Sequence, residues 1–544
     1  MNRVVWSVLV LTLSVTLVNS CTRSKTSGTS TTPDVGSGDG TPLVDSGDMG
    51  PELSDTASQT ACPSGMVDCQ GCKVPCDLGG AWDATCSHCL DQQTPASPLL
   101  PVVGLRLGLS IDVPHGTDAK TQAWRAWMWN EVEALGVRVV RHDVIWAQIE
   151  PVQGQFSWTA EDETVAALKA HQIRGIGLLG YGNLWASKYA AAQNDTMVPP
   201  DNPQDFADFA AAAAARYAGQ LDDWEVWNEQ NAGYRFWKDP KTLPSGNPKT
   251  YAALLLATGK SIHEVAPQAR VAFGGLFYLP QAIIGAEVFT QQALAAEPTL
   301  GDHIDALAYH PYAVYPPHLP PEASPTTPGV PAMAVPLDQT ADRLQGVLQN
   351  SLGHTLPLWI TEVGWPQTED TNTAQQIAQY LLRSWALALS RDVQALCWYT
   401  IMDQDPSNDN YPWEKSFGLY SFDTDVSDGS LPQPKPAALA LRAMHRVLGA
   451  YGFAESLAGR SSARHHLVFA RPDGPDRVHV LWDETAASPK PAMFWPRSAH
   501  SYRMAEALDA PEDVTAWAPV ALDAQGHLTV QVGQTPVYVQ ETPE

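Results

Sequence analysis

The sequence predicts an α/β fold: a (β/α)8 TIM barrel followed by a small C-terminal β-sandwich and preceded by a disordered, Cys-rich stalk. Three observations lead there. Between residues 102 and 447, short apolar runs alternate with longer stretches of helical periodicity, the pattern of a parallel sheet wrapped in helices. Eight such runs can be counted, the number that closes a barrel of this type. After Met444 the texture changes to short alternating runs with no helical stretch between them.

Taken in order, residues 1–21 carry Arg3, an apolar run from Val4 to Val18, and then Asn19-Ser20-Cys21. That is a secretion signal, too short and wrongly flanked for a membrane span. The Leu17–Cys21 junction resembles a bacterial lipobox, which implies a lipid anchor on Cys21; Thr22 in place of Asp after it points to the outer membrane or cell surface of a Gram-negative bacterium. Residues 22–60 are nearly all Ser, Thr, Gly, Asp and Pro. They lack the apolar surface that would offset the entropy of ordering, and are expected to be a disordered tether. Residues 61–95 hold Cys62, Cys69, Cys72, Cys76, Cys86 and Cys89. In a secreted chain six cysteines imply three disulfides, in any of fifteen connectivities. The spacing of Cys69 to Cys72 and of Cys86 to Cys89 also suits a zinc knuckle, and both readings stay open.

The predicted barrel strands are Gly104–Ile111, Val137–Arg141, Gly175–Leu179, Trp224–Asn228, Val271–Gly274, Ile304–Tyr309, Leu358–Thr361 and Ala395–Tyr399. Cys397, inside the last, is expected to be an inert buried thiol. Asn202 can cap a helix with Pro203 at its first position and Phe206, Phe209, Ala213 and Tyr217 on one face. A second helix, Thr373–Leu389, carries Ile377, Leu381, Trp385 and Ala388 on its inner stripe. In residues 448–544 the runs Leu467–Ala470, Val478–Trp482, Leu528–Val532 and Val537–Gln540 predict the strands of the sandwich.

A formal charge of −26 repels phosphate backbones, so nucleic acid is excluded as a partner. No Gly-rich phosphate loop, His-Glu-x-x-His or Gly-x-Ser-x-Gly segment occurs, which removes the usual signatures of phosphoryl transfer, zinc proteolysis and serine esterase chemistry. The nineteen Trp and sixteen Tyr suit a protein that stacks sugar rings, although a large barrel also buries aromatics for packing.

In such a barrel the functional side chains stand at the C-terminal ends of the strands. Glu229 closes the fourth predicted strand, in Trp227-Asn228-Glu229-Gln230-Asn231, and Glu362 the seventh, in Ile360-Thr361-Glu362-Val363-Gly364-Trp365. Strands four and seven sit on opposite parts of the mouth, so the two carboxylates can face each other, as hydrolysis of a glycosidic bond requires. At the end of the sixth strand His310 and Tyr312 are two residues apart and share a face. The Tyr312 hydroxyl is then placed to donate to Glu362. Arg141, ending the second strand, can hold the same carboxylate by charge-assisted hydrogen bonds. Tyr181 and Trp185 follow the third strand. Trp146, Trp237, Trp365 and Trp413 also follow strands and are candidate sugar platforms. The loop from Tyr315 to Pro336, with eight prolines, is long and stiff enough to wall a cleft.

These two carboxylate segments resemble the acid/base and nucleophile motifs of the clan A retaining glycoside hydrolases, and the chain is similar above all to family 39 and its endo-acting relatives. The resemblance spans residues 102–447. It implies Glu229 as general acid/base, Glu362 as nucleophile, Asn228 as the partner of the sugar 2-hydroxyl and Trp398 as the innermost sugar platform. It departs from the clan at the end of the third strand, where Gly180-Tyr181-Gly182-Asn183 stands in place of a common histidine. The expected activity is cleavage of β-glycosidic bonds with retention, by an endo-β-glycanase or a β-xylosidase-like enzyme, with no cofactor and no metal. The expected partner is a carbohydrate polymer or oligosaccharide, and the expected state a lipid-anchored monomer. The rival reading is a non-catalytic carbohydrate-binding or surface-adhesion protein on the same barrel.

Overall fold

The computed structural model describes residues 66–69, 72–75 and 106–543, apart from 279–283, 313–317, 325–333, 369–370, 408–410, 423–430, 458–462, 487, 495–499 and 509–515. The predicted signal peptide and tether lie outside the described residues. Of the cysteine segment only a hairpin is described, β1 (Met66–Cys69) against β2 (Cys72–Pro75), with Cys69 and Cys72 opposite one another in register.

Eight parallel strands close into a barrel: β3 (Arg106–Ser110), β4 (Val139–Ile145), β5 (Arg174–Gly180), β6 (Asp223–Asn228), β7 (Arg270–Phe277), β8 (Ala306–His310), β9 (Leu358–Val363) and β10 (Val393–Tyr399), with β10 pairing back onto β3. Each contains or overlaps one of the predicted runs. The outer layer comprises α1 (Ala119–Ala134), α2 (Trp146–Ile149), α3 (Thr159–Ala170), α4 (Lys188–Gln193), α5 (Pro203–Tyr217), α6 (Pro248–Val265), α7 (Ala286–Ala296), α8 (Leu337–Leu352), α9 (Ala374–Leu389) and α10 (Pro436–Leu448). α5 begins as its sequence dictates: the Asn202 side chain accepts from Gln204 N, Pro203 takes the first turn, and Phe206, Phe209, Ala213 and Tyr217 are buried. α9 opens on a capping box between Thr373 and Gln376.

Alternation along the strands sorts the core into two compartments. Val139, Ile176, Ala272, Ala306, Ala308, Trp359, Ala395 and Cys397 point inward and fill the lower barrel. Their strand neighbours, such as Val140, Val226, Phe273, Leu307, Ile360 and Trp398, point outward against the helices.

The C-terminal region is a lopsided sandwich. β11 (Gly452–Ser456), β12 (Arg464–Ala470), β13 (Arg477–Asp483), β18 (Val537–Pro543), β15 (His500–Glu506) and β16 (Ala518–Val520) form one antiparallel sheet in that order. β14 (Lys490–Phe494) and β17 (Leu528–Val532) form a separate two-stranded ribbon. On β18, Val537 and Val539 face the ribbon, meeting Ala492, Leu528, Val530 and Val532, while Tyr538 faces the barrel core. The sheet covers the outside of α9. Gln379 and Arg383 of α9 reach Thr535 and Gln534 between β17 and β18, and Arg383 is buried there in addition to the predicted stripe.

Candidate active site

Two backbone irregularities aim the carboxylates. On β6, Glu225 points into the barrel and Val226 and Trp227 point out, yet Asn228 and Glu229 both face the mouth. The parity is reset by left-handed backbone at Trp227 (φ 70°) and Glu229 (φ 46°), which costs on the order of 1–3 kcal/mol per residue. Trp227 Nε1 donating to Phe236 O at 2.6 Å, and Glu229 N donating to Gly275 O at 2.8 Å, hold it there. On β9, Ile360 pairs with Leu396 and Val363 with Trp398, so three steps on one strand match two on the other. This bulge lets the consecutive Thr361 and Glu362 face the same space.

Beneath them lies a buried polar network that the sequence analysis did not identify. Glu225, wholly enclosed, accepts from Arg141 Nε at 2.9 Å and Nη2 at 3.1 Å, from Gly275 N at 2.8 Å and from Thr361 Oγ1 at 3.2 Å. Arg141 is therefore anchored mainly on Glu225. It also donates to Asn228 Oδ1 at 2.6 Å and approaches Glu362 Oε1 at 3.6 Å. The first contact fixes the Asn228 amide with its NH2 group free to face the pocket, as the role implied for it requires. Gly275 has no room for a side chain: a Cβ there would lie 2.3 Å from His310 Nε2 and 2.6 Å from Glu225 Oε1.

The same network dictates the protonation of His310. Thr361 has one hydroxyl proton, and the arginine-paired Glu225 carboxylate takes it, so His310 Nε2, 3.1 Å from Thr361 Oγ1, must be the donor. His310 Nδ1 then faces Glu229 Oε1 at 2.9 Å and Glu362 Oε2 at 3.4 Å. Glu229 and His310 thus hold a proton between them, carried by one or the other. Tyr312 OH reaches Glu362 Oε2 at 3.5 Å, the long limit of a hydrogen bond. Burial pushes the Glu362 carboxyl above the ordinary glutamate value; His310 and Arg141 pull it down, and Glu229 pushes it further up.

A pocket of about 160 Å3 opens above this network. Glu229, Glu362, Asn228, Arg141, Tyr312 and Tyr181 line it together, with His310 directly behind the two carboxylates. Trp185 and Trp398 are not brought there. Trp185 packs edge-on against Trp146, at 5.2 Å between ring centroids, and donates to Glu150 O. Trp398 sits on the outer face of β10 against Trp365, because Ala395 and Cys397 point inward and the intervening residues cannot. By the same alternation Tyr399 points inward and lines the pocket, so the innermost aromatic is one residue further on than the resemblance implied. Trp146 and Trp237 are core residues, as is Trp365, which donates to Leu319 O; Trp413 stands at the rim, stacked on Tyr411. The described parts of the proline-rich loop dock outward: Glu322 reaches Arg383 and Trp482 Nε1 beneath the C-terminal sheet.

The sequence analysis also missed Asp112, Asp143, Arg235 and Glu414, all of which line the pocket. Strand parity was the available signal for Asp143, two residues after Arg141. None existed for Arg235 and Glu414, which loops bring together at 3.3 Å. Among the described residues, two groups offer three ligand atoms close enough for a cation, Glu229–His310–Glu362 and Glu322–His465–Glu484. In the second, Arg383 already supplies Glu322 with positive charge.

Comparison with solved structures places the fold. A family 39 glycoside hydrolase from Bacteroides cellulosilyticus WH2 aligns with a TM-score of 0.60 at 22% identity, over 80% of this chain and 81% of its own. A monomeric β-xylosidase from Caulobacter crescentus CB15 aligns at 0.54 and 18%, over 82% and 98%. A GH39 enzyme from Xanthomonas axonopodis pv. citri aligns at 0.52 and 19%, over 82% and 96%. The fold is that of the family 39 glycoside hydrolases. No family model matches the sequence, and no curated protein matches it.

Proposed function

We propose that this chain is a retaining glycoside hydrolase that releases a terminal sugar from a β-glycoside by double displacement. The observation that carries the reading is the carboxylate pair itself: one oxygen of Glu229, one of Glu362 and a His310 ring nitrogen lie within 4.8 Å of one another. That separation suits a nucleophile and an acid acting on one anomeric carbon, for which carboxyl groups stand about 5–5.5 Å apart, and leaves no room for the intervening water of an inverting enzyme. Surroundings divide the roles. Glu229 shares a proton with His310 and is the acid; Glu362, with Arg141 and Tyr312 at its oxygens, is the nucleophile.

In the first step Glu229 protonates the leaving oxygen while Glu362 attacks the anomeric carbon, and the Asn228 amide donates to the 2-oxygen. In the second, Glu229 takes a proton from the water that releases the sugar. Action on a chain end, rather than within a polymer, is supported by the Arg235–Glu414 ion pair. Its partners come from loops after β6 and β10, which lie four strands apart, and it spans the mouth of the barrel. Tyr411 and Trp413, stacked at the rim at 5.5 Å, are the proposed platform for the departing part of the substrate. Secretion as a lipid-anchored surface protein is proposed from the signal and tether sequences.

The test is a pair of substitutions assayed on aryl β-glycosides, β-xylosides first. Glu362→Ala should lose on the order of 10⁵-fold in kcat on every substrate. Glu229→Ala should lose about 10²–10⁴-fold on poor leaving groups and far less on those that need no proton, with azide restoring turnover as the β-glycosyl azide. An α-anomer as the first product of the wild type would sink double displacement. No turnover of any β-glycoside, with sugar still bound, would favour the non-catalytic binder.

A further inference from the structure

Two acids in the pocket take no part in this mechanism. Asp112 lies two residues beyond the end of β3, and Asp143 lies in β4, on the inward parity of Val139 and Arg141. The register pairs Ser110 with Arg141, and Ile111 N donates to Arg141 O at 3.0 Å, so two residues further on each strand Asp112 and Asp143 come level. Both line the pocket. Every other charged group there is engaged within the protein: Arg141 with Glu225, Arg235 with Glu414, and the two catalytic carboxylates with His310. Neither aspartate accepts a hydrogen bond or forms an ion pair with any described residue. Asp112 is exposed and Asp143 half-buried, both on the open space of the pocket, so their oxygens can accept hydrogen bonds from a molecule bound there.

We propose that Asp112 and Asp143 recognise the glycone, each accepting from one of two adjacent hydroxyls on a neutral sugar. The proposal rests on the glycosidase reading. Two acceptor-only groups side by side match a vicinal diol, which has two donors side by side. A uronic acid is rejected, since it meets two unpaired carboxylates while both arginines of the pocket are engaged. Burial pushes Asp143 up to about 6, with Arg141 opposing and Asp112 adding to the rise. Hydroxyl donors from the sugar would relieve it.

The experiment uses the p-nitrophenyl β-D-xyloside, glucoside, galactoside, mannoside, glucuronide and glucosaminide. It adds the 3-deoxy and 4-deoxy analogues of whichever neutral glycoside the wild type turns over best. Asp112→Asn and Asp143→Asn should each lower kcat/KM about 10–100-fold on that glycoside, the worth of a hydrogen bond to a charged group. On the deoxy analogue lacking the partner hydroxyl the same substitution should change little. The glucuronide should be inert with the wild type and gain activity in the variants. Equal losses on the full and deoxy glycosides, or a wild type that prefers the glucuronide or glucosaminide, would overturn the proposal. Should an asparagine variant fail to fold, Asp112→Ser and Asp143→Ser give the same comparison. If no glycoside is turned over, calorimetry with the free monosaccharides and their deoxy forms separates the two ideas. Binding that depends on Asp112 and Asp143 keeps this assignment and removes the hydrolase; binding indifferent to both removes the assignment.

Discussion

Arg141–Glu225 at the mouth of the barrel and Arg383–Glu322 beneath the C-terminal sheet are both bidentate pairs, and all four side chains are buried. Their outlying contacts differ. Glu322 also accepts from Trp482 Nε1 at 2.8 Å, and Arg383 donates to Gln534 O at 3.4 Å, so this pair fastens α9 to the sheet. Arg141 reaches onward to Asn228 and Glu362, and Glu225 through Thr361 to His310. One ion pair ends in structural partners; the other branches to groups that face open space. A buried pair alone is weak evidence of function, and here the onward contacts separate a fastening from a support for chemistry.

The largest effects should come from breaking each pair. Glu225→Gln and Glu322→Gln should both destabilise the chain by about 3–5 kcal/mol, since each leaves a buried guanidinium without its counter-charge. Activity should then distinguish them. Glu225→Gln should cost about 10²-fold in kcat, because Asn228, His310 and Glu362 are positioned through that pair and small misplacements are expensive. Glu322→Gln, assayed well below its melting temperature, should retain wild-type kcat. Equal loss of activity in both would mean that the C-terminal sheet shapes the pocket.

Acid should separate the pairs as well. Arg383 holds the Glu322 carboxyl below its ordinary value against the opposing effect of burial, so its stabilising contribution is present above the usual glutamate range and lost only as the pH falls through the lower folded value. Burial moves Glu362 the other way: the folded chain binds its proton more tightly than the unfolded chain does, and the nucleophile ionises only above the usual range. On acidification activity should therefore disappear while the sheet is still docked. The checks are a pH–rate profile beside the difference in fluorescence between the wild type and Trp482→Phe, which singles out Trp482 among the nineteen tryptophans where it stacks on His465. Coincident midpoints would join activity loss to undocking.

How much of this was legible in the sequence follows from the same contrast. All eight barrel strands appear as apolar runs, and the α5 and α9 caps are local chemistry that their own residues announce. The carboxylates were legible because each closes a strand. Glu225 was not, since an acid inside a predicted strand shows its meaning only when Arg141, 84 residues away, folds against it. Trp398 was misplaced by one residue because a tryptophan attracts attention that strand parity should have overruled. Trp398→Leu should accordingly cost stability, by roughly 2–4 kcal/mol for a truncated core aromatic, and leave KM unchanged, while Tyr399→Leu should raise KM with little loss of stability.

The smallest effect is expected at Tyr312. Its hydroxyl was anticipated as a firm donor to Glu362, and a hydrogen bond to a charged group is ordinarily worth about 1.5–3 kcal/mol. At 3.5 Å the contact is at its geometric limit, and Tyr312 is also held by packing against Phe277, at 6.1 Å between ring centroids. Phenylalanine keeps that packing and removes the long bond. Tyr312→Phe should thus cost under about 1 kcal/mol in transition-state stabilisation, less than fivefold in kcat/KM, and the acid limb of the profile should rise slightly as Glu362 loses one donor. A loss of 100-fold would show that the bond shortens when substrate is bound, making Tyr312 an extension of the branched network; no change in rate or profile would place it with the packing residues.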